Sequence, residues 1–193
     1  AVLDHLGIAG VDDLTTLIEP LKILHVAGPL QSTRIASISC SGGEASLIAD
    51  RADTTPLSFP ALNPRQHTDL SRALGPKVTL ANPLDYHTYI WRDTAAMTSA
   101  FSAIIDPDIA LTFLIVDIPR ADRCDPLDWD CAVEAALATR AQTGGIIAMV
   151  ATLPELMPEQ VAKRLMEGRI IPMCALADAL AATVAAQARR PAQ

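Results

Sequence analysis

Two short stretches of this 193-residue chain hold the side chains best suited to chemistry: Ser41-Gly42-Gly43-Glu44 and Asn82-Pro83-Leu84-Asp85. In the first, two adjacent glycines follow an apolar run, Arg34 to Cys40, and precede a helical one. Glycine lets a backbone turn sharply and come close to a ligand. A helix beginning there directs its first-turn N–H groups and positive dipole end outward, an arrangement that suits phosphate or carboxylate. The same residues also fit a plain strand-to-helix turn with Ser41 as N-cap. The pattern is neither the dinucleotide fingerprint nor the phosphate loop with its lysine. In the second stretch, Pro83 restricts Asn82 to an extended backbone. The Asn82 amide and the Asp85 carboxylate, three residues apart, either orient a ligand or clasp the loop by satisfying backbone groups.

Four histidines are candidate acid–base or phosphoryl-accepting groups. His5 and His25 fall in apolar helical contexts and His67 on a polar helix face, where a structural role is the simpler reading. His87 follows Asp85 by two residues and is the histidine expected to orient or touch a ligand. Its neighbours Tyr86, Tyr89 and Trp91 suit a pocket wall or a docking face for another domain. Asp122, Asp125, Asp128 and Asp130 lack the glycine and terminal glutamate of a calcium loop, and read as a solvated, helix-capping stretch. Cys40, Cys124, Cys131 and Cys174 contain no C-x-x-C pair, so they read as free thiols in a reducing compartment rather than a zinc site. No nucleophile elbow and no H-E-x-x-H helix occurs. No catalytic residue and no metal site is expected within this chain.

The elements that must position these residues follow from hydrophobic spacing and from Gly and Pro punctuation. Asp12-Asp13 caps a helix through Leu14, Leu17, Ile18 and Leu21, which Pro20 should kink or divide and Gly28-Pro29 ends. Strands are expected at Arg34–Cys40, Leu57–Phe59, Ala110–Ile118, Ile146–Ala151 and Ile170–Ile171. Helices are expected at Glu44–Asp53, Pro64–Leu74, Asp93–Ile105, Asp128–Arg140, Pro158–Glu167 and Ala175–Ala188. The stretch Thr79–Asp85 reads as a loop. Alternation of strand and helix predicts a flavodoxin-like, doubly wound α/β fold: a mainly parallel five-stranded sheet, order 2-1-3-4-5, with helices on both faces.

Composition agrees. Hydrophobic residues make up 50% and aromatics 4%, so Ala, Leu, Ile and Val build the core, as parallel strands under Ala-rich helices require. A net charge of −7 with no basic run argues against nucleic-acid binding. No apolar run reaches the ~18 residues of a membrane span, and no targeting segment appears. Ala1 is not Met, and Ala1–Leu6 reads as the end of a helix without a cap, so the chain is expected to come from a longer polypeptide.

The stretch Arg34 to Asp50, RIASISCSGGEASLIAD, resembles the strand, S-G-G turn and helix of NDP-forming acyl-CoA synthetases, the acetate–CoA ligase branch of the succinyl-CoA synthetase superfamily. Ala81-Asn82-Pro83-Leu84-Asp85 resembles the family's A-N-P-[LV]-D, and Gly10-Val11-Asp12-Asp13-Leu14 its helix-connecting stretch. The resemblance implies the second flavodoxin-like domain of such an enzyme, residues 31–193, after a helical lead-in, residues 1–30, from the preceding domain. It implies the reaction acid + CoA + NTP = acyl-CoA + NDP + phosphate, run through an acyl phosphate and a phosphohistidine. That histidine's motif precedes the residue matching Ala1, so this chain alone is expected to be inactive. Ser41, Gly42, Gly43 and Glu44 are expected to bind the phosphoryl group, and Asn82, Asp85 and His87 to orient it.

The implied partners are the CoA-binding, first flavodoxin-like and ATP-grasp domains, with a homo-oligomer possible. CoA, ATP and Mg belong to the whole enzyme, none to this chain alone. The implied location is cytoplasmic. Glu44 departs from the family, where glycine or another small residue follows S-G-G. The other reading is a non-catalytic regulatory or interaction domain of a related multidomain protein.

Overall fold

The architecture comes from a computed structural model that describes residues 6–11 and 13–187. Its centre is β3, Leu111–Ile115 (LTFLI), every residue of which is buried. A strand buried on both faces needs apolar residues on both, and this run supplies them. Phe113 and Ile115 point to one layer and Leu114 to the other. β1 (Ile35–Ser39) pairs with β3 in parallel, from Ile35 opposite Leu111 to Ser39 opposite Ile115. On the other side come β4 (Ile147–Val150) and β5 (Ile171–Met173), both parallel. β2 (Leu84–Asp85) closes the far edge beside Ile38 and Ser39. The order is β2-β1-β3-β4-β5, the flavodoxin-like arrangement.

Among the described residues, seven α-helices cover the two faces. On one lie α3 (Pro64–Leu74), α4 (Thr94–Ile104), α5 (Asp130–Thr143) and α6 (Glu159–Glu167), around Leu70, Phe101, Ala136 and Leu165. On the other lie α1 (Leu14–Ala27), α2 (Gly42–Ala52) and α7 (Leu176–Ala185), around Ile23, Ile48 and Leu180. Alanines let α5 and α7 approach closely: Ala132, Ala135, Ala136, Ala179 and Ala182 are all buried. The expected helix end over Ala1–Leu6 falls mostly outside the described residues, as does His5.

Two expectations are corrected. Leu57–Phe59 is not a strand of the sheet: it contributes a single bridge, Ser58 beside Arg34. The edge strand is Leu84–Asp85, expected to be loop. The physical reason is the way the edge of β1 is finished. Ser58 accepts from the Ile35 N–H at 2.9 Å. The Asn82 side chain then takes the next two backbone groups: Nδ2 donates to Ile35 O (3.0 Å) and Oδ1 accepts from the Ser37 N–H (3.1 Å). Only beyond that point is there edge left for β2, where the Tyr86 N–H donates to Ser39 O (2.9 Å). A side-chain amide thus stands in for one residue of strand, a pattern that hydrophobic alternation does not reveal.

Pro20 does not divide α1, which runs unbroken across it. Asp13 caps the helix at Thr16, and Lys22 Nζ donates to both Glu19 Oε1 and Pro172 O. With Ile23 and Val26 buried as well, tertiary contacts outweigh the missing hydrogen bond.

Replacing Asn82 tests the stand-in directly. Asn82→Ala leaves the wholly buried Ile35 O and Ser37 N–H without partners, which should cost about 2–4 kcal/mol. The loss should appear as a lower urea midpoint at unchanged slope. Asn82→Asp, nearly identical in shape, should cost at least as much, because a carboxylate cannot donate to Ile35 O.

Candidate functional site

The carboxyl ends of parallel strands form the rim where this class of fold places ligands. At the end of β1 the chain passes through Cys40 and Ser41 into α2. That helix begins at Gly42, two residues earlier than the spacing predicts. Ser41 occupies the N-cap but makes no side-chain cap hydrogen bond; its carbonyl accepts from the Ala45 N–H at 3.1 Å. Helices α1, α3 and α4 are capped by Asp13, Asn63 and Asp93, whereas α5, α6 and α7, like α2, make no side-chain cap hydrogen bond. The exposed glycines at the start of α2 therefore present first-turn N–H groups that no described side chain caps.

Asp85, at the end of β2, stands beside this helix end. A Cβ built on Gly42 would lie 3.1 Å from Asp85 Oδ2, so the close approach depends on glycine at 42. Asp85 Oδ1 accepts from the His87 N–H at 2.8 Å, and Oδ2 lies 3.4 Å from His87 Nδ1. His87 holds a left-handed backbone, φ 56°, which a non-glycine residue adopts at some cost. Its ring packs against Tyr89 at 5.5 Å, and Lys77 Nζ lies over that ring.

The third carboxylate is Asp117, two residues past β3. It accepts from both the N–H and the hydroxyl of Thr152, past the end of β4, each at 2.6 Å. Asp117 and Thr152 were not singled out in the sequence. The signal available was position, because Asp117 is the first charged residue after the apolar run of β3.

Glu44, in the first turn of α2, faces these groups. Its Oε2 is buried and has no hydrogen-bond partner. Burial raises its pKa to about 7, and the charges of Asp117 and Asp85 push the same way. Cys40 is pushed up to about 11, first by burial and then by Glu44. Tyr86 is raised too, chiefly by burial; it is 1% exposed with its hydroxyl unpartnered. The rim is therefore acidic, with one carboxylate poised to hold a proton near neutrality.

The structure brings Ser41, Gly42, Gly43, Glu44, Asp85 and His87 together, and it gives Asn82 other work. The Asn82 amide is committed to Ile35, Ser37 and Pro60 backbone groups, the loop-clasp alternative of the sequence. The aromatic cluster is split. Tyr86 is in the core, edge-on to Phe101, Trp91 packs on Trp129, and Tyr89 is exposed. His25 and His67 are exposed, away from the rim. The acidic stretch serves as ion pairs and caps: Asp122 with Arg120, Asp128 with Arg92, Asp130 with Arg164, and Asp125 on the Leu127 N–H. All four cysteines are free. Among the described residues no group of side chains has the make-up of a metal site, and no helix is long and apolar enough to cross a membrane.

No protein-family model and no curated protein matches the chain. Solved structures do. Over 95% of its length the chain is similar to 41% of PH0766 from Pyrococcus horikoshii, with a TM-score of 0.77 at 15% identity. Over 95% of its length it is also similar to 39% of the dinucleotide-forming acetyl-coenzyme A synthetase 1 of Candidatus Korarchaeum cryptofilum. That likeness holds for the apo form (TM-score 0.70, 15% identity) and for the complex with phosphate and ADP (0.70, 14%). The chain thus spans about two-fifths of the length of these proteins and shares the flavodoxin-like fold of that segment.

Proposed function

We propose that this chain is the second flavodoxin-like domain of an NDP-forming acyl-CoA synthetase, and that the N-terminus of α2 supports phosphoryl transfer there. The observation that carries the reading is the uncapped helix start at Gly42 and Gly43, on the rim where such folds bind ligands. The S-G-G and A-N-P-L-D stretches and the likeness to an acetyl-coenzyme A synthetase support it. On this reading a phosphoryl group, borne on a histidine of another domain, sits against the first turn of α2. The open N–H groups and the helix dipole stabilise its charge. CoA, nucleotide and Mg are held by the CoA-binding and ATP-grasp domains, the enzyme is cytoplasmic, and this chain alone is inactive.

Three carboxylates near an anion site oppose it, so the charge of Glu44 decides whether the anion is welcome. Protonated, Glu44 stops repelling the anion and gains an O–H to donate. Asp85 and Asp117 already accept hydrogen bonds from His87 and Thr152. The alternative, a regulatory domain whose anion site has been closed by its own carboxylates, draws on the same cluster.

In the parent polypeptide, incubation with ATP and Mg should leave an acid-labile phosphoryl group visible by intact mass. Gly43→Asp, which places a carboxylate in the first turn, should abolish it while the protein stays folded. Phosphorylation indifferent to that substitution would remove α2 from the site.

Sulfate, a dianion across the working range, isolates the role of Glu44. Its binding, read from the Gly42 and Gly43 amide shifts, should be about 3- to 10-fold tighter near pH 6 than near pH 8. In a His87→Gln background, which removes the neighbouring imidazole, the tightening should persist, and adding Glu44→Gln should make binding equal at both. No shift in any of these proteins favours the regulatory reading.

Glu44 also leaves a mark on stability. The folded chain keeps its proton up to about pH 7 and the unfolded chain only to about 4.5, so stability falls as pH rises through that window. Allowing for partial solvent access, Glu44→Gln should be more stable than the parent by about 1–2 kcal/mol above pH 8. The gain should vanish below pH 4.

A further inference from the structure

Helix α1 turns an apolar side outward as well as inward. Among the residues of α1 whose side chains are described, the exposed ones are Leu14, Leu17, Ile18, Leu21, Leu24 and His25, with Leu14 78%, Ile18 53% and Leu21 50% exposed. Its charged residues point the other way. Glu19 is buried and Lys22 half-buried, joined to each other and to Pro172 O. A surface helix of a monomer carries the opposite pattern, charge outside and apolar stripe inside.

The outward leucines are spaced three, four and three residues apart. That is the a/d seam of two heptads. It also reads the same in both directions, so an antiparallel copy presents the same seam. An isologous two-fold contact demands a surface complementary to itself, and this spacing provides one. Beside the seam lies an apolar groove of about 540 Å³, bordered by Ile8, Val11 and Pro29.

Charge and area point the same way. Each chain carries −7, so two copies repel on average, and the stretch from Leu14 to Leu24, whose outward described side chains are uncharged, is where they approach at least cost. The exposed fractions of Leu6, Ile8 and the five α1 residues amount to about three and a half whole side chains. That is on the order of 500 Å², the upper end of what monomers leave uncovered and more than half of the ~800 Å² each partner buries in a stable dimer.

We propose that α1 is a dimerisation helix, packing antiparallel on α1 of a second copy about a two-fold axis. Leu14 of one copy meets Leu24 of the other, and Leu17 meets Leu21. The contact is independent of the role assigned to α2.

Sedimentation or light scattering on the full chain across micromolar concentrations tests this. The expected species is a dimer. Leu21→Glu should raise its dissociation constant at least about 100-fold with the circular dichroism unchanged. Should that variant fail to fold, Leu14→Glu, at the most exposed position, reads the same contact. Mixing Leu14→Glu with Leu24→Lys should restore the dimer mass, because an antiparallel seam sets the two new charges opposite each other. A chain that stays monomeric would overturn the proposal and leave the face to another domain. So would a dimer that survives both glutamate variants, or a charge-paired mixture that stays monomeric.

Discussion

The side-chain amide of Asn82 is the contact on which the site depends. β1 is the second strand of the sheet, and its outer edge must be satisfied along its whole length, because buried backbone groups without partners are costly. Ser58 satisfies the first position and β2 the last, with the Asn82 amide between them. Without it, the chain entering β2 is held to β1 only by the short pairing of Leu84 and Asp85 and the Tyr86 N–H, and the position of Asp85 against Gly42 loses its second anchor. The same amide also holds Pro60 O, tying the segment before α3 to the edge. One planar group with two donors and one acceptor in use therefore fixes three segments.

From that anchor the rim assembles in a fixed order. Asp85 is set by β2 and held by the His87 N–H. Asp117 is set by β3 and held by Thr152 beyond β4. Both are locked by hydrogen bonds. Glu44 has no such lock: its Oε2 is buried and unpartnered. Of the three carboxylates it is the one whose charge is least supported by the fold, which is why burial and its two neighbours raise its pKa to about 7.

Much of this was legible in the chain. The apolar run ending at Ile118 announced a central parallel strand, and the alternation of strands with helices announced the doubly wound fold, though not which segment forms the edge strand. The S-G-G turn announced a helix start at the rim. What escaped had a common physical cause. β2 is two residues long and is defined by a neighbouring side chain, so no periodicity marks it. The Asp117–Thr152 clasp joins residues 35 apart in sequence, and only the pairing of β3 with β4 brings them together. The undivided course of α1 across Pro20 depends on anchorage to β5 through Pro172, which local propensity does not contain.

The placement of α1 explains why its pattern misleads when read alone. An apolar position in a helix is ordinarily assigned to the core, and Leu14, Leu17, Ile18 and Leu21 invite that assignment. The helix instead buries Glu19, Ile23 and Val26 and turns the leucines out. Burying a carboxylate in preference to four leucines runs against the hydrophobic effect unless the leucines are buried by something else. Lys22 and a backbone hydrogen bond at Cys174 support the buried Glu19 carboxylate, though its pKa stays raised because desolvation, with the charge of Asp178 pushing the same way, outweighs them. The inner face of the helix is fixed by a hydrogen bond to β5, and the outer, apolar face is the one we assign to a second copy.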